Sequence, residues 1–238
     1  MFWLVPVGVF LLVAAVWLLR SFVYRRRVHS LSANLARYAA SNRLLPRPGA
    51  DRIILFGDEV AERWDIARDF PELDLLNRGI AGETTLHLLA RFRQDVVELD
   101  ARIVVLLGGG NDPAWRLPVA ASQDHLQLMA RLAAKEQIEL VLASLLPVRR
   151  GWSASGGLAS YVSAMNDWLR RFARAERLAF ADFHSALADK DGWLRGEFTD
   201  DGLHPNQAGY RAMAALLCAS LEPLLERAAL RSGRAATS

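Results

Sequence analysis

Ile53-Ile54-Leu55-Phe56-Gly57-Asp58-Glu59 is the stretch whose reading decides the fold. Four large apolar residues in a row, closed by a glycine and two carboxylates, read as a buried parallel strand running into a turn and then a helix. An open α/β sheet places its chemistry at the carboxyl ends of its strands. Asp58 and Glu59 therefore stand where a functional loop belongs.

Downstream, short apolar strands alternate with longer helical patterns. Strands are expected over 52–57, 73–79, 102–107, 138–145 and 178–183. Helical patterns fall over 60–68, 84–99, 123–135, 161–174 and 206–225. Within 84–99, Leu88, Leu89, Phe92, Val96 and Leu99 recur at helical spacing. Five strands with intervening helices predict an α/β fold: a three-layer α/β/α sandwich on a five-stranded parallel sheet, occupying residues 51–228. Residues 229–238 are small and polar and read as a disordered tail.

Upstream, residues 1–19 contain no ionised side chain and are rich in Val, Leu, Phe and Trp. About 20 apolar residues suffice to cross a bilayer as a helix. Trp3, Trp17 and Tyr24 fall where interfacial aromatics belong. No basic residues precede the run and no small-x-small cleavage site follows it, which favours an uncleaved single transmembrane anchor over a signal peptide. Residues 20–50 form a basic juxtamembrane segment, a short helix over 28–42 and a linker containing Pro46, Pro48 and Gly49. Arg20, Arg25, Arg26 and Arg27 all flank the apolar run on its C-terminal side. The positive-inside rule then places the soluble domain in the cytoplasm, with the lipid bilayer as the partner of the N-terminal helix.

The 238 residues are 52% apolar and 23% charged, which supports a folded core. Of the net +3 charge, the four arginines account for all: the other 25 Lys and Arg face 26 Asp and Glu. No basic face remains to carry nucleic-acid binding. The lone Cys218 excludes an intrachain disulfide and reads as a buried small hydrophobe.

Four polar blocks sit where strands should end: Gly57-Asp58-Glu59, the run 77–84 with Gly79 and Gly82, Gly108-Gly109-Gly110-Asn111-Asp112, and Asp201-Gly202-Leu203-His204-Pro205-Asn206. Glycine turns let backbone N–H groups approach a ligand closely. Asn111 offers an amide donor, and Asp201 can orient His204, so the blocks together fit oxyanion stabilisation plus a base. Each also has a structural reading. Gly82 can serve a tight turn, Asn111 can cap the following segment, Asp201 can satisfy loop amides, and Pro205 is placed to open the last helix. The remaining histidines, His29, His87, His125 and His184, lack such context and metal-ligand spacing, and no cofactor is implied.

In this order the blocks resemble the GDSL or SGNH hydrolases, over roughly residues 50–225. The resemblance implies a flavodoxin-like α/β/α domain with esterase, lipase, thioesterase or carbohydrate-deacetylase activity. It places the oxyanion-hole glycine at Gly82, the oxyanion asparagine at Asn111, and the triad acid and base at Asp201 and His204. The nucleophilic serine falls on Glu59.

A carboxylate has no hydroxyl to activate, and its attack on an ester would produce an anhydride. Near His204 it favours imidazolium, and it can accept the oxyanion-hole hydrogen bonds itself. Ordinary serine catalysis is therefore expected to be lost at Glu59, leaving a pseudoenzyme with a ligand-binding or scaffold role. The alternative is an active hydrolase that uses His204 and Asp201 with water or another nucleophile, Thr84 and Thr85 being the nearby hydroxyls. A small ester, a lipid or an acylated sugar is the expected ligand. Trp115, Trp152 and Trp193 are candidates to line it, with 147–157 as a mobile edge.

Overall fold

The structure, a computed structural model, describes residues 31–46, 51–151 and 157–231. The chain divides into two units, Met1–Arg43 and Leu44–Ser238. In the first, the described residues are helical over 31–37 and again over Ala39–Arg43. The transmembrane expectation for 1–19 and its arginine flank lie outside the described residues. Among the described residues no helix is long and apolar enough to cross a membrane.

The second unit carries five parallel strands: β1 (Ile53–Gly57), β2 (Leu75–Gly79), β3 (Ile103–Leu107), β4 (Glu139–Ala143) and β5 (Ala179–Ala181). Their order is β2-β1-β3-β4-β5. β3 is central, and β1 lies between it and the edge strand β2, with Ile53 opposite Leu75 on one side and Ile103 on the other. The helices are α1 (Glu59–Glu62), α2 (Ile66–Asp69), α3 (Thr85–Asp95), α4 (Val119–Lys135), α5 (Gly157–Glu176), α6 (Phe183–Leu187) and α7 (Gln207–Arg231).

Side chains alternate across a strand, and that alternation divides the core into two layers. Ile53, Leu55, Ile103, Val105 and Val141 pack on α1, α2, α6 and α7, through Ala61, Ile66, Phe183, Met213, Leu217 and Leu221. Ile54, Phe56, Val104, Leu106 and Leu142 pack on α3, α4 and α5, through Leu88, Phe92, Leu126, Met129, Met165 and Leu169. At about 1.5–3 kcal/mol for each large apolar side chain buried, these layers dominate the favourable side of folding.

The expected strands and helices are present, with shifted ends that have physical causes. The helix expected over 60–68 is two short ones, because Asp65 caps a new turn by accepting from the Arg68 N–H at 3.2 Å. The helix over 84–99 ends at Asp95 and gives way to a 3-10 turn, Val97–Leu99. β4 stops at Ala143, since the Asn166 side chain takes both the N–H and the carbonyl of Leu145 at 2.7 and 2.9 Å. α7 passes through Pro223 and runs to Arg231, taking in the first three residues of the expected tail. Cys218 is exposed on α7, not buried.

Two glycines end β1 and β2 because nothing larger fits. A Cβ on Gly57 would strike the Leu107 carbonyl oxygen, and one on Gly79 would strike the backbone of Glu62. Beneath these strand ends lies Arg91, fully buried on α3. It donates to Glu83 Oε2 at 2.7 Å, to Asp95 Oδ2 at 3.1 Å, and to the carbonyls of Gly57 and Arg78 at 3.0 and 2.7 Å. Arg91→Met fills similar space but strands two buried carboxylates. It should cost about 3–5 kcal/mol of stability, read as a fall in the urea midpoint with an unchanged slope; a loss below about 1 kcal/mol would refute the role given to Arg91.

Candidate functional site

The carboxyl ends of β1, β2 and β3 deliver three of the four polar blocks to one place. Asp58 follows β1 and caps α1, its Oδ1 accepting from the Val60 N–H at 3.1 Å. That cap makes Glu59 the first residue of α1, so its side chain leaves the sheet edge at a fixed height. After β2 the chain turns through Gly82, whose φ of +77° is left-handed and suits glycine. This turn aims the Gly82 N–H at Glu59 Oε2, 2.9 Å away. After β3, Asn111 donates through Nδ2 to the same Oε2 at 2.8 Å and to the Glu83 carbonyl at 3.1 Å.

The fourth block arrives from the loop before α7. Asp201 Oδ2 lies 2.6 Å from His204 Nδ1, while Oδ1 accepts from the N–H groups of Leu203 and His204, each at 2.8 Å. Burial alone would raise the Asp201 carboxyl, but the His204 ring and these backbone donors outweigh it and hold it well below the usual carboxylate range. The other ring nitrogen, His204 Nε2, faces Glu59 Oε1 across 4.0 Å. Pro205 does not open α7: it bridges to Thr199, and Asn206 caps the helix by accepting from the Gly209 N–H at 3.1 Å.

All five expected residues, Glu59, Gly82, Asn111, Asp201 and His204, therefore meet. Thr84 and Thr85 are committed elsewhere, Thr84 Oγ1 to His87 at 2.7 Å and Thr85 Oγ1 to Asp112 at 2.6 Å. His125 closes on Thr85 at 2.9 Å, and His184 is half-buried, a burial that lowers its pKa. His29 lies outside the described residues.

Beside Glu59 and His204 opens a cavity of about 620 Å³. Leu145, Leu146, Val148, Leu158, Val162 and Leu203 give it an apolar wall, and Tyr161 and Asn111 lie on its polar side. Burial pushes the Tyr161 hydroxyl up to about 12, so it stays a donor, spent on the Gly109 carbonyl at 3.1 Å. Of the tryptophans, Trp115 packs edge-on against His87 and Trp193 stacks under Arg150, both away from this cavity; Trp152 lies outside the described residues. The segment 147–157 does border the cavity, through Val148 and Gly157. Among the described residues no group of three or more His, Cys, Asp or Glu is placed to hold a metal ion.

Sequence reasoning missed Asp112, fully buried beneath Asn111. Its carboxylate accepts from the Thr85 N–H at 2.9 Å and from the Thr85 and Ser122 hydroxyls at 2.6 and 2.5 Å. These bonds lock the β3 loop to α3 and α4 and fix where the Asn111 amide points. The Asn111-Asp112 pair was visible as a motif, but its partners lie 10 and 27 residues away.

Residues 47–212 match the GDSL-like lipase/acylhydrolase family. A GDSL-like lipase of Bacteroides thetaiotaomicron superposes with a TM-score of 0.75 at 28% identity, over 80% of this chain and 98% of that one. Esterase TesA of Pseudomonas aeruginosa is 28% identical over 63% of this chain and 71% of its own. The uncharacterized lipoprotein YqeF of Bacillus subtilis is 23% identical over 65% of this chain and 78% of its own.

Asp58 makes the site's pH dependence testable. Burial, reinforced by the adjacent Glu59 charge, holds its carboxyl well above the usual range. A raised folded pKa favours the protonated fold, so its stabilising contribution is complete below the unfolded pKa and lost as pH rises through the folded value. Asp58→Asn keeps the cap and cannot ionise. Its melting temperature should gain on the native protein's as pH rises from about 4 to 8; a pH-independent difference would show that Asp58 ionises alike in both states.

Proposed function

We propose, on the premise that this chain belongs to the GDSL-like lipase/acylhydrolase family, that Glu59 stands at that family's nucleophile position and closes the ordinary serine route. The product is a ligand-binding or scaffold domain on a membrane-anchored chain. One observation carries the reading: Glu59 Oε2 accepts from both the Gly82 N–H and the Asn111 amide. Those are the two donors that would otherwise stabilise an oxyanion.

Acyl transfer by the serine route needs three things at once: a hydroxyl, a base to take its proton, and free donors for the carbonyl oxygen. Asp201 and His204 supply the base. The hydroxyl is missing. The donors are engaged by a carboxylate, in charge-assisted bonds worth about 1.5–3 kcal/mol each. A neutral ester carbonyl, the weaker acceptor, does not displace it. Nor does Glu59 replace serine chemically, since its attack on an ester would form an anhydride no easier to make than the ester is to cleave.

The anchor rests on the uncharged apolar run 1–19 and its arginine flank, and a relative named as a lipoprotein is in keeping with membrane association. The arginines favour a cytoplasmic domain by the positive-inside rule. A second reading keeps catalysis: His204, already oriented by Asp201 at 2.6 Å, activates a water against a small ester.

Short-chain acyl esters decide between them, with the full-length chain in a non-ionic detergent. The native protein and a Glu59→Ala control should stay at background. Glu59→Ser should rise about 10²-fold or more, and adding His204→Ala should abolish the gain. Hydrolysis by the native protein that disappears in His204→Ala would instead establish the water route.

A further inference from the structure

A second, smaller cavity shares α5 with the one beside Glu59. We infer that it binds one neutral sugar ring, and that the chain docks a glycan there independently of what Glu59 does to ester chemistry. The cavity holds about 210 Å³. Where α5 lines the first cavity with Leu158, Tyr161 and Val162, it lines this one with Ser163, Asp167 and Arg170. His184 of α6 and Asp191 and Trp193 of the following loop complete it.

Its charges are already matched. Arg170 binds Asp167 at 3.3 Å and Asp182 at 3.2 Å, and Arg150 binds Asp191 at 3.0 Å. No lining carboxylate or guanidinium is left over to draw an ion. Hydrogen-bonding capacity, in contrast, is unspent. Among the described residues the Ser163 hydroxyl, the Trp193 indole N–H and the His184 ring make no hydrogen bond, and Asp167 and Asp191 each keep one oxygen outside their ion pairs. His184 retains an N–H in every protonation state. Donors and acceptors from three elements therefore face one small space. Hydroxyls donate and accept at the same atom, so a polyol meets this mixture where an ester or a carboxylate meets only half of it.

Size and the tryptophan narrow the polyol to a ring. Sites for drug-sized ligands run to about 300–1,000 Å³, and this one is smaller, with room for a single pyranose. Trp193 offers an apolar body beside its polar N–H, a match for the C–H face of a pyranose. The residue is held before any ligand arrives. The Arg150 guanidinium lies over its ring at 5.3 Å, and His184 packs against Gly192 of the same loop. A site set in advance loses less entropy on binding.

Saturation-transfer NMR on the full-length chain tests this, in a polyoxyethylene detergent that carries no sugar. The probes are the methyl pyranosides of glucose, galactose, mannose and xylose, with sorbitol and methyl glucuronide as controls. At least one neutral pyranoside should saturate the protein. Sorbitol lacks the ring and the glucuronide is charged, so each should bind at least about tenfold more weakly. Trp193→Ala should weaken the pyranoside at least about tenfold at an unchanged melting temperature, and so should Ser163→Leu, which fills the space from an exposed helix position. No saturation by any pyranoside, binding that survives either variant, or equal binding of either control overturns the inference. A tetrasaccharide of the preferred unit that binds as well as its methyl glycoside supports it and assigns an internal residue of a polysaccharide; weaker binding of the tetrasaccharide supports it and assigns a terminal sugar such as a glycolipid headgroup.

Discussion

The site depends on one buried guanidinium. β1 and β2 end side by side under the functional loops, where the Gly57 carbonyl also accepts from the Ile80 N–H at 3.0 Å. Arg91 rises from α3 to bind the Gly57 and Arg78 carbonyls with one nitrogen, while its others hold Glu83 and Asp95. Its plane also lies over the Phe56 ring at 4.2 Å, filling the remaining face. The loop bearing Glu59 and the loop bearing Gly82 are thereby tied to the same group. A charge buried this completely is tolerable only because each of its three nitrogens is engaged, and that demand fixes the spacing of the two loops.

Asp112 does for the third loop what Arg91 does for the first two. Its carboxylate gathers Thr85 of α3 and Ser122 of α4, so Asn111 projects from a rigid base. Gly82 and Asn111 therefore point at a common spot whatever occupies it. In such a frame the identity of residue 59 decides the polarity of the site. A small hydroxyl would leave both donors open to a ligand oxygen. Glutamate is long enough to reach them with one oxygen and leaves the other facing His204. One residue converts a donor site into an acceptor site, with no change needed in the strands or glycines around it.

Much of this was legible beforehand. Apolar runs ending at Gly57, Gly79 and Gly108 mark buried strands and close turns, and the resemblance carried by the four polar blocks implied that Glu59 would meet Gly82, Asn111 and His204. That Glu59 could occupy both donors followed from the length of its side chain. What stayed hidden depends on partners distant in sequence. Arg91 reads as one more polar position on an amphipathic helix until the strand carbonyls above it are placed. Cys218 falls in an apolar helical pattern, yet its neighbours Leu217 and Leu221 take the buried face and leave it outside. The opening of α7 expected of Pro205 went to Asn206, whose side-chain oxygen accepts from the Gly209 N–H.

The Asp201–His204 pair bears differently on the two functional readings than its geometry first suggests. Asp201 has structural work of its own: Oδ1 receives two backbone N–H groups that close the turn before α7, and Thr199 adds a hydroxyl at 3.3 Å. Removing the carboxylate would open that turn with or without catalysis, so Asp201 alone is no evidence for a working base. His204 is the informative member. Its backbone N–H serves the turn, but a different side chain could share that N–H equally well. The imidazole is held by Asp201 at one nitrogen and presents the other to Glu59 and the cavity. A ring oriented at that cost, beside a carboxylate too distant to bond it directly, is a receptor for whatever enters the gap.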